Sequence, residues 1–302
     1  MTTKIGANVA RIDALDKVTG KTLFPADLTR PNMLHMKILF SGRPHARVRS
    51  IDISKAESHP GVVAVFTAVD VPVNEYGLIN ADQPVLVGLG SDRLDADVAR
   101  FVGDQIALIV AETDKAASEA RELISVTWQD LPVVTDPYKA MKLDAPVLFV
   151  DRDSNIIKHN RVRKGDVGIV WKNCTVIVES VYRTPWQEHA YLQPEAGISY
   201  IDSEGRVTVE VAGQWVHEEQ KQIAHALDIP IDKVRVIHPA IGGAFGGRED
   251  VSVQIVLALA VWRLHQRGMN RPIKIVWSRE ESIVGHHKRH PYNICAKWGA
   301  DA

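Results

Sequence analysis

Cysteine is scarce in this chain: Cys174 and Cys295, in unrelated surroundings, are the only two among 302 residues. Two thiols are too few for a disulfide scaffold, a cysteine-rich zinc site or a four-cysteine iron–sulfur cluster within the chain. Any redox metal is therefore expected to arrive in a preformed cofactor or to sit in another subunit. An excess of charge of either sign is also missing, with a formal net of −1. That gives no electrostatic reason to expect nucleic acid or an anionic membrane as partner. No apolar run approaches the roughly 18 residues that a bilayer span needs. The opening MTTKIGANVARID lacks the apolar stretch of a signal peptide, so a cytoplasmic location is expected. Internal repeats and low-complexity tracts are missing as well. What remains is an ordinary globular composition, 45% hydrophobic and 24% charged, with enough apolar matter for packed cores. The length suggests two domains.

Periodicity divides the chain. Residues 1–16 are polar and read as an arm. Residues 17–132 alternate short strands with helices, as an α+β unit does. Strands are expected at LHMKILFS (34–41) and GVVAVFTAVDV (61–71), a strand pair at FVGDQIALIVAET (101–113), and another strand at ISVTW (124–128). GRPHA (42–46) reads as a turn. DKAASEARELI (114–124) reads as an amphipathic helix with Asp114 as N-cap. Residues 133–163 carry few periodic apolar positions and read as a connector. In 164–302, strands are expected at 174–184, 197–202, 206–213, 233–239 and 272–278. Helices are expected at 217–227 and from Asp250 to about Arg267, the latter closed by Gly268. The chain stops at KWGADA as a further strand ends.

Chemistry concentrates in IGGAFGGRED (241–250), where Gly242, Gly243, Gly246 and Gly247 flank Phe245 between a strand and a helix. Glycines there permit positive φ and close backbone approach, and a helix N-terminus would add unsatisfied N–H donors. An anionic or oxo group suits such a place. The loop is neither a Walker loop nor GxGxxG. A tight strand-to-helix turn explains the glycines equally, with Glu249 and Asp250 as caps. Gln214, at a strand end before a helix, can donate to an oxygen ligand; a solvated loop residue is the simpler account. Gln187, Glu188, His189 and Glu195 offer acid–base groups, or merely a polar turn before a strand. His286 and His290 lie four apart, without a third or fourth ligand, and Pro291 opposes a helix there. A basic or anion-contacting loop is the better reading of GHHKRHPY (285–292).

Taken in order, KVTGKTLFPADL (17–28), SGRPHARVRSID (41–52), RFVGDQIALIVAET (100–113), KGDV (164–167), QEHAYLQPEAG (187–197), GQWVHEEQ (213–220), GGAFGGRED (242–250) and KRHP (288–291) form a familiar set. The chain resembles the molybdenum hydroxylases, the xanthine dehydrogenase and aldehyde oxidase family. The resemblance implies a hammerhead-type α+β domain at 17–132. It implies the first, incomplete part of a mixed α+β molybdopterin-binding domain at 164–302. It also implies a molybdenum–molybdopterin cofactor, expected in its cytosine dinucleotide form. Gln214 matches the glutamine that hydrogen-bonds the apical oxygen ligand of molybdenum. Gly243, Ala244, Phe245, Gly246 and Gly247 match the loop lying against the cofactor, and Glu249 matches a substrate-orienting glutamate, which leans towards an N-heterocycle. No residue here ligates the metal directly. AFGGRE stands where GFGGKE is commoner, a mild departure at Ala244 and Arg248.

The family's reaction inserts oxygen from water into a C–H bond beside nitrogen or oxygen. No glutamate here matches the family's catalytic base, so either a second molybdopterin-binding chain supplies it or this chain is truncated. The further partners implied are an iron–sulfur subunit, an FAD subunit and a small-molecule substrate. Two other readings stay open: a phosphate- or nucleotide-binding module, and a non-catalytic scaffold fragment.

Overall fold

The computed structural model describes residues 5–301, so the first four residues of the expected arm lie outside the described residues. The rest of that arm is mostly exposed and leads into a short helix, Ala14–Val18. The first half of the chain contributes strands β1 (Leu34–Phe40), β2 (Ala46–Asp52), β3 (Val62–Phe66), β4 (Val98–Ala99), β5 (Gln105–Ala111) and β6 (Ser125–Asp130). The second half contributes β7 (Val176–Thr184), β8 (Ala196–Ile201), β9 (Val207–Val211), β10 (Val234–Ile237), β11 (Ile273–Val276) and β12 (Tyr292–Ala300).

A seven-stranded sheet in the order β10-β9-β8-β11-β1-β5-β3 draws on both halves. Its seam is the parallel pair β1–β11, with Leu34 opposite Ile273. β5 pairs antiparallel with β1 and β3 on either side. Ile106 to Ala111 are all fully buried, as a near-continuous apolar run in a central, two-sided strand requires. A three-stranded sheet, β4-β2-β6, completes the first half. The β7–β12 ribbon stands apart, with nearly every residue on both strands exposed.

The main core forms where helix Gln254–Gln266 lies on the sheet beside helix Val216–Leu227. From Gln254 to Val261 every residue of the former is buried, as expected of a helix apolar on all sides. Two helix starts differ from expectation. Thr113, not Asp114, caps the first: its hydroxyl accepts from the Ala116 N–H, leaving Asp114 free to pair with Lys37 at 3.0 Å. The second begins at Gln254 rather than Asp250, and the Gln254 side-chain oxygen accepts from the N–H groups of Ser252 and Val253. Glu249 and Asp250 therefore do not cap it, and six residues, 248–253, separate the last glycine of the loop from the helix. The expected strand pair at 101–113 is a turn followed by the single strand β5.

Candidate functional site

After β9 the chain passes through Ala212 and Gly213 into helix Val216–Leu227, leaving Gln214 exposed at the junction. A Cβ at position 213 would overlap the Glu219 carboxylate beneath it. The Gln214 backbone N–H donates to the Arg248 carbonyl at 3.0 Å, and its side-chain Oε1 accepts from the Arg248 N–H at 3.1 Å. This clasp joins Gln214 to the glycine loop. It also commits the amide oxygen, so the NH2 end is the one left to face a ligand. No acceptor among the described residues engages it.

Within the loop, Gly243 (φ 110°) and Gly246 (φ 87°) take backbone angles that L-residues avoid. Phe245 does so as well, at φ 54°, with its side chain 77% exposed. A bulky residue in the left-handed region costs on the order of 1–3 kcal/mol and persists only where its surroundings fix it. Those surroundings are the segment from Gln187 to Gly197. Gly247 packs so closely that a Cβ would stand 2.8 Å from His189 Cγ and 2.9 Å from Tyr191 Cε1. Gln193 accepts from the Gly242 N–H at 2.7 Å.

Arg248 fastens the assembly. It is 3% exposed, lies 4.0 Å over the Tyr191 ring, and donates to the Gly243 carbonyl at 3.0 Å and the Gln193 carbonyl at 2.5 Å. Below it Glu195, 1% exposed, accepts from the Tyr191 and Ser282 hydroxyls, and burial holds its pKa above the ordinary glutamate value. The 187–197 segment is thus the wall that seats the loop, not a plain polar turn. Sequence reasoning passed over Tyr191 and the role of Arg248. The available signal was the density of ionisable, amide and aromatic side chains just ahead of β8.

Phe245 and Glu249 line one side of a cavity of about 1000 Å³ whose opposite walls include Glu188, His189 and the His286–His290 segment. His286 Nε2 lies 2.7 Å from Glu188 Oε1, and Lys288 Nζ 2.9 Å from Glu188 Oε2. Burial pushes His286 down to about 4, with Lys288 acting in the same direction. Burial alone would raise Glu188, but Lys288, the Ala190 N–H and His286 outweigh it and hold that carboxyl at about 2. Deeper in the cavity, burial raises Asp104 to about 6 although the Arg100 and Phe101 N–H groups donate to it. His286 and His290, four apart in sequence, do not come together: His290 is exposed against Trp186, and His286 is buried beside Glu188 and His189.

The chain matches the aldehyde oxidase and xanthine dehydrogenase a/b hammerhead domain over residues 19–132 and the molybdopterin cofactor-binding domain over residues 148–302. It belongs to the xanthine dehydrogenase and aldehyde oxidase family. It is 37% identical over 297 residues to the nicotinate dehydrogenase large molybdopterin subunit of Eubacterium barkeri, covering 98% of this chain and 66% of that protein. It is also 37% identical over 292 residues to a probable xanthine dehydrogenase subunit of Bacillus subtilis, covering 96% of this chain and 37% of that one. Aldehyde oxidoreductase from Desulfovibrio gigas superposes with a TM-score of 0.86 at 25% identity, covering 96% of this chain and 32% of that one. The chain therefore spans only part of these family members, and the α+β class expected from its sequence is the one they share. No helix among the described residues is long and apolar enough to cross a membrane.

Proposed function

We propose that this chain is the molybdenum-cofactor-binding part of a hydroxylase large subunit that inserts water-derived oxygen into a C–H bond of an N-heterocycle or aldehyde. One observation carries the reading: the Arg248 N–H fixes the Gln214 amide with its oxygen inward and its NH2 outward, beside an exposed, left-handed Phe245. An amide so oriented would serve as a donor to an oxo ligand. The residues present therefore fit the group the family implies. When bound, molybdenum–molybdopterin in its cytosine dinucleotide form supplies the two-electron chemistry and the transferable oxygen.

The chain's own residues supply position. Gln214 Nε2 donates to an oxygen on the cofactor. The backbone from Gly243 to Gly247, with Ala244 next to Phe245 at its middle, approaches closely, and the Phe245 ring shields the centre from water. Glu249, on the cavity wall with Phe245, orients substrate N–H groups. Of the buried acids near the loop, Glu195 is closed off by Tyr191 and Ser282, and Glu219 lies beneath Gly213 against His238. The catalytic base is assigned to the part of the large subunit outside these residues, in a second molybdopterin-binding polypeptide or a longer form of this chain, with iron–sulfur and flavin partners carrying electrons away. Phosphate or nucleotide binding is disfavoured because the loop does not open onto a helix N-terminus, whose donors that reading needs.

The test is Gln214→Ala in the assembled complex. Loss of one donor aimed at developing charge is worth about 1.5–3 kcal/mol, so turnover or molybdenum content should fall roughly 10- to 100-fold. Unchanged turnover together with unchanged molybdenum content would reject the role and favour the scaffold reading.

A further inference from the structure

We propose that Glu188, His189 and His286 form a divalent-metal site of the zinc-binding class on the wall of the large cavity, separate from the Gln214–Arg248 clasp. Two segments bring the three side chains together: the turn after β7, and the residues following helix Arg279–Gly285. An antiparallel bridge between Gln187 and Arg289 pins one segment to the other. One donor atom from each of the three residues lies within 4.8 Å of the others.

The tautomer of His286 makes the case. Its Nδ1 lies 2.5 Å from the His287 carbonyl oxygen, which can only accept, so Nδ1 carries a hydrogen. In the neutral ring Nε2 is then a bare lone pair, and it stands 2.7 Å from Glu188 Oε1, a second acceptor. Two acceptors that close repel unless something positive lies on them, either a proton or a metal ion. A ring whose far nitrogen donates to a backbone carbonyl is the usual arrangement of a ligating histidine. His189, whose ring centroid is 5.5 Å from that of His286, has a buried Nδ1 with no partner among the described residues.

Lys288 sets the selectivity. It pairs with Glu188 Oε2, so that Oε1, which accepts from the Ala190 N–H at 3.1 Å, keeps its second lone pair for an ion, and it adds a positive charge that disfavours hard cations needing several carboxylates. Two imidazoles and one carboxylate suit Zn2+ or a neighbouring first-row ion. Three protein ligands also leave a position open to the cavity for water or a small anionic ligand.

The test needs neither molybdenum nor substrate. The purified chain, stripped with a chelator, is titrated with Zn2+ by calorimetry, and Co2+ uptake is followed by its visible absorption. One ion per chain is expected, with a Co2+ spectrum of four- or five-coordinate nitrogen–oxygen type. Glu188→Gln and His189→Ala should each weaken binding at least tenfold, and His290→Ala should leave it unchanged. Glu188→Gln keeps the size of the side chain and one of its two acceptor oxygens but removes the charge, so it decides the matter if His189→Ala fails to fold. Absence of saturable uptake would mean that a proton holds His286 to Glu188, and would overturn the proposal. So would uptake undiminished in Glu188→Gln. Gln214→Ala should not alter Zn2+ uptake, which keeps this result independent of the function proposed above.

Discussion

Arg248→Met tests the architecture of the loop most sharply. Methionine matches much of the arginine stem but cannot donate, so the Gly243 and Gln193 carbonyls lose their partners and the stack on Tyr191 loses its cation. Hydrogen bonds to a charged group contribute about 1.5–3 kcal/mol each, and a cation–π contact about 0.5–2 kcal/mol. These terms are not additive; breaking a buried charge network by removing one member typically costs about 3–5 kcal/mol. That range is the expected loss here. It should register first at two amides: that of Gln214, bonded to the Arg248 carbonyl, and that of Arg248, bonded to Gln214 Oε1. At about 1.4 kcal/mol per tenfold, their hydrogen-exchange protection should fall by a hundredfold or more.

Arg248→Lys retains the charge but offers a single ammonium to two carbonyls, so it should fall between wild type and methionine. A second signature follows from Glu195. The Arg248 charge helps to lower that carboxyl's pKa, so Arg248→Met should raise it further above the ordinary value. If Arg248→Met costs under about 1 kcal/mol and the two amides stay protected, the arginine is not what holds the loop.

Two further perturbations test neighbouring steps of the reasoning. Gly247→Ala places a methyl 2.8–2.9 Å from ring atoms of His189 and Tyr191, inside normal contact. Overpacking of that kind costs about 1–3 kcal/mol, and an unshifted urea midpoint would mean the wall yields more readily than its packing suggests. Asp104→Asn tests the buried carboxyl. Because burial raises the folded pKa to about 6, the aspartate favours the folded state below the ordinary carboxylate range, and that contribution is lost as pH rises through 6. Relative to the non-titrating variant, wild type should lose roughly 2–3 kcal/mol between pH 4 and pH 7. Parallel pH–stability profiles for the two proteins would contradict it.

Elements with a clear local period were legible in the sequence. β1 and helix Val216–Leu227 fall within a residue or two of their expected bounds, because alternation or amphipathicity fixes them locally. The start of helix Gln254–Gln266 lies beyond Asp250, which resembles a cap in the sequence, because Gln254 turns its own side-chain oxygen back onto the Ser252 and Val253 N–H groups and the helix begins there without a side-chain cap. The β1–β11 pairing joins residues far apart in the chain and has no local signal at all. The same holds for the site. Gln214 and the glycine loop could each be picked out as motifs. The clasp between them runs through the Arg248 backbone, which no pattern of side chains reveals. Arg248 itself looked like a mild substitution because its burial depends on Tyr191, brought beneath it only by the fold.

The exposure of Phe245 follows from how the loop is held on either side of it. Burying a phenylalanine side chain yields about 1.5–3 kcal/mol, and relaxing a left-handed backbone would recover a further 1–3 kcal/mol or so, roughly. A loop free to choose would therefore turn the ring inward. It does not, because the residues on both sides are held: Gly243 by its carbonyl's bond to Arg248, and Gly247 by its contact with His189 and Tyr191. The ring is thus presented at a cost of a few kcal/mol, carried by the buried network of Arg248, Tyr191 and Glu195. A ligand that covers Phe245 recovers the burial term without having to reorganise the loop. On this account Arg248→Met should weaken cofactor retention even though its side chain, 3% exposed, touches no cofactor.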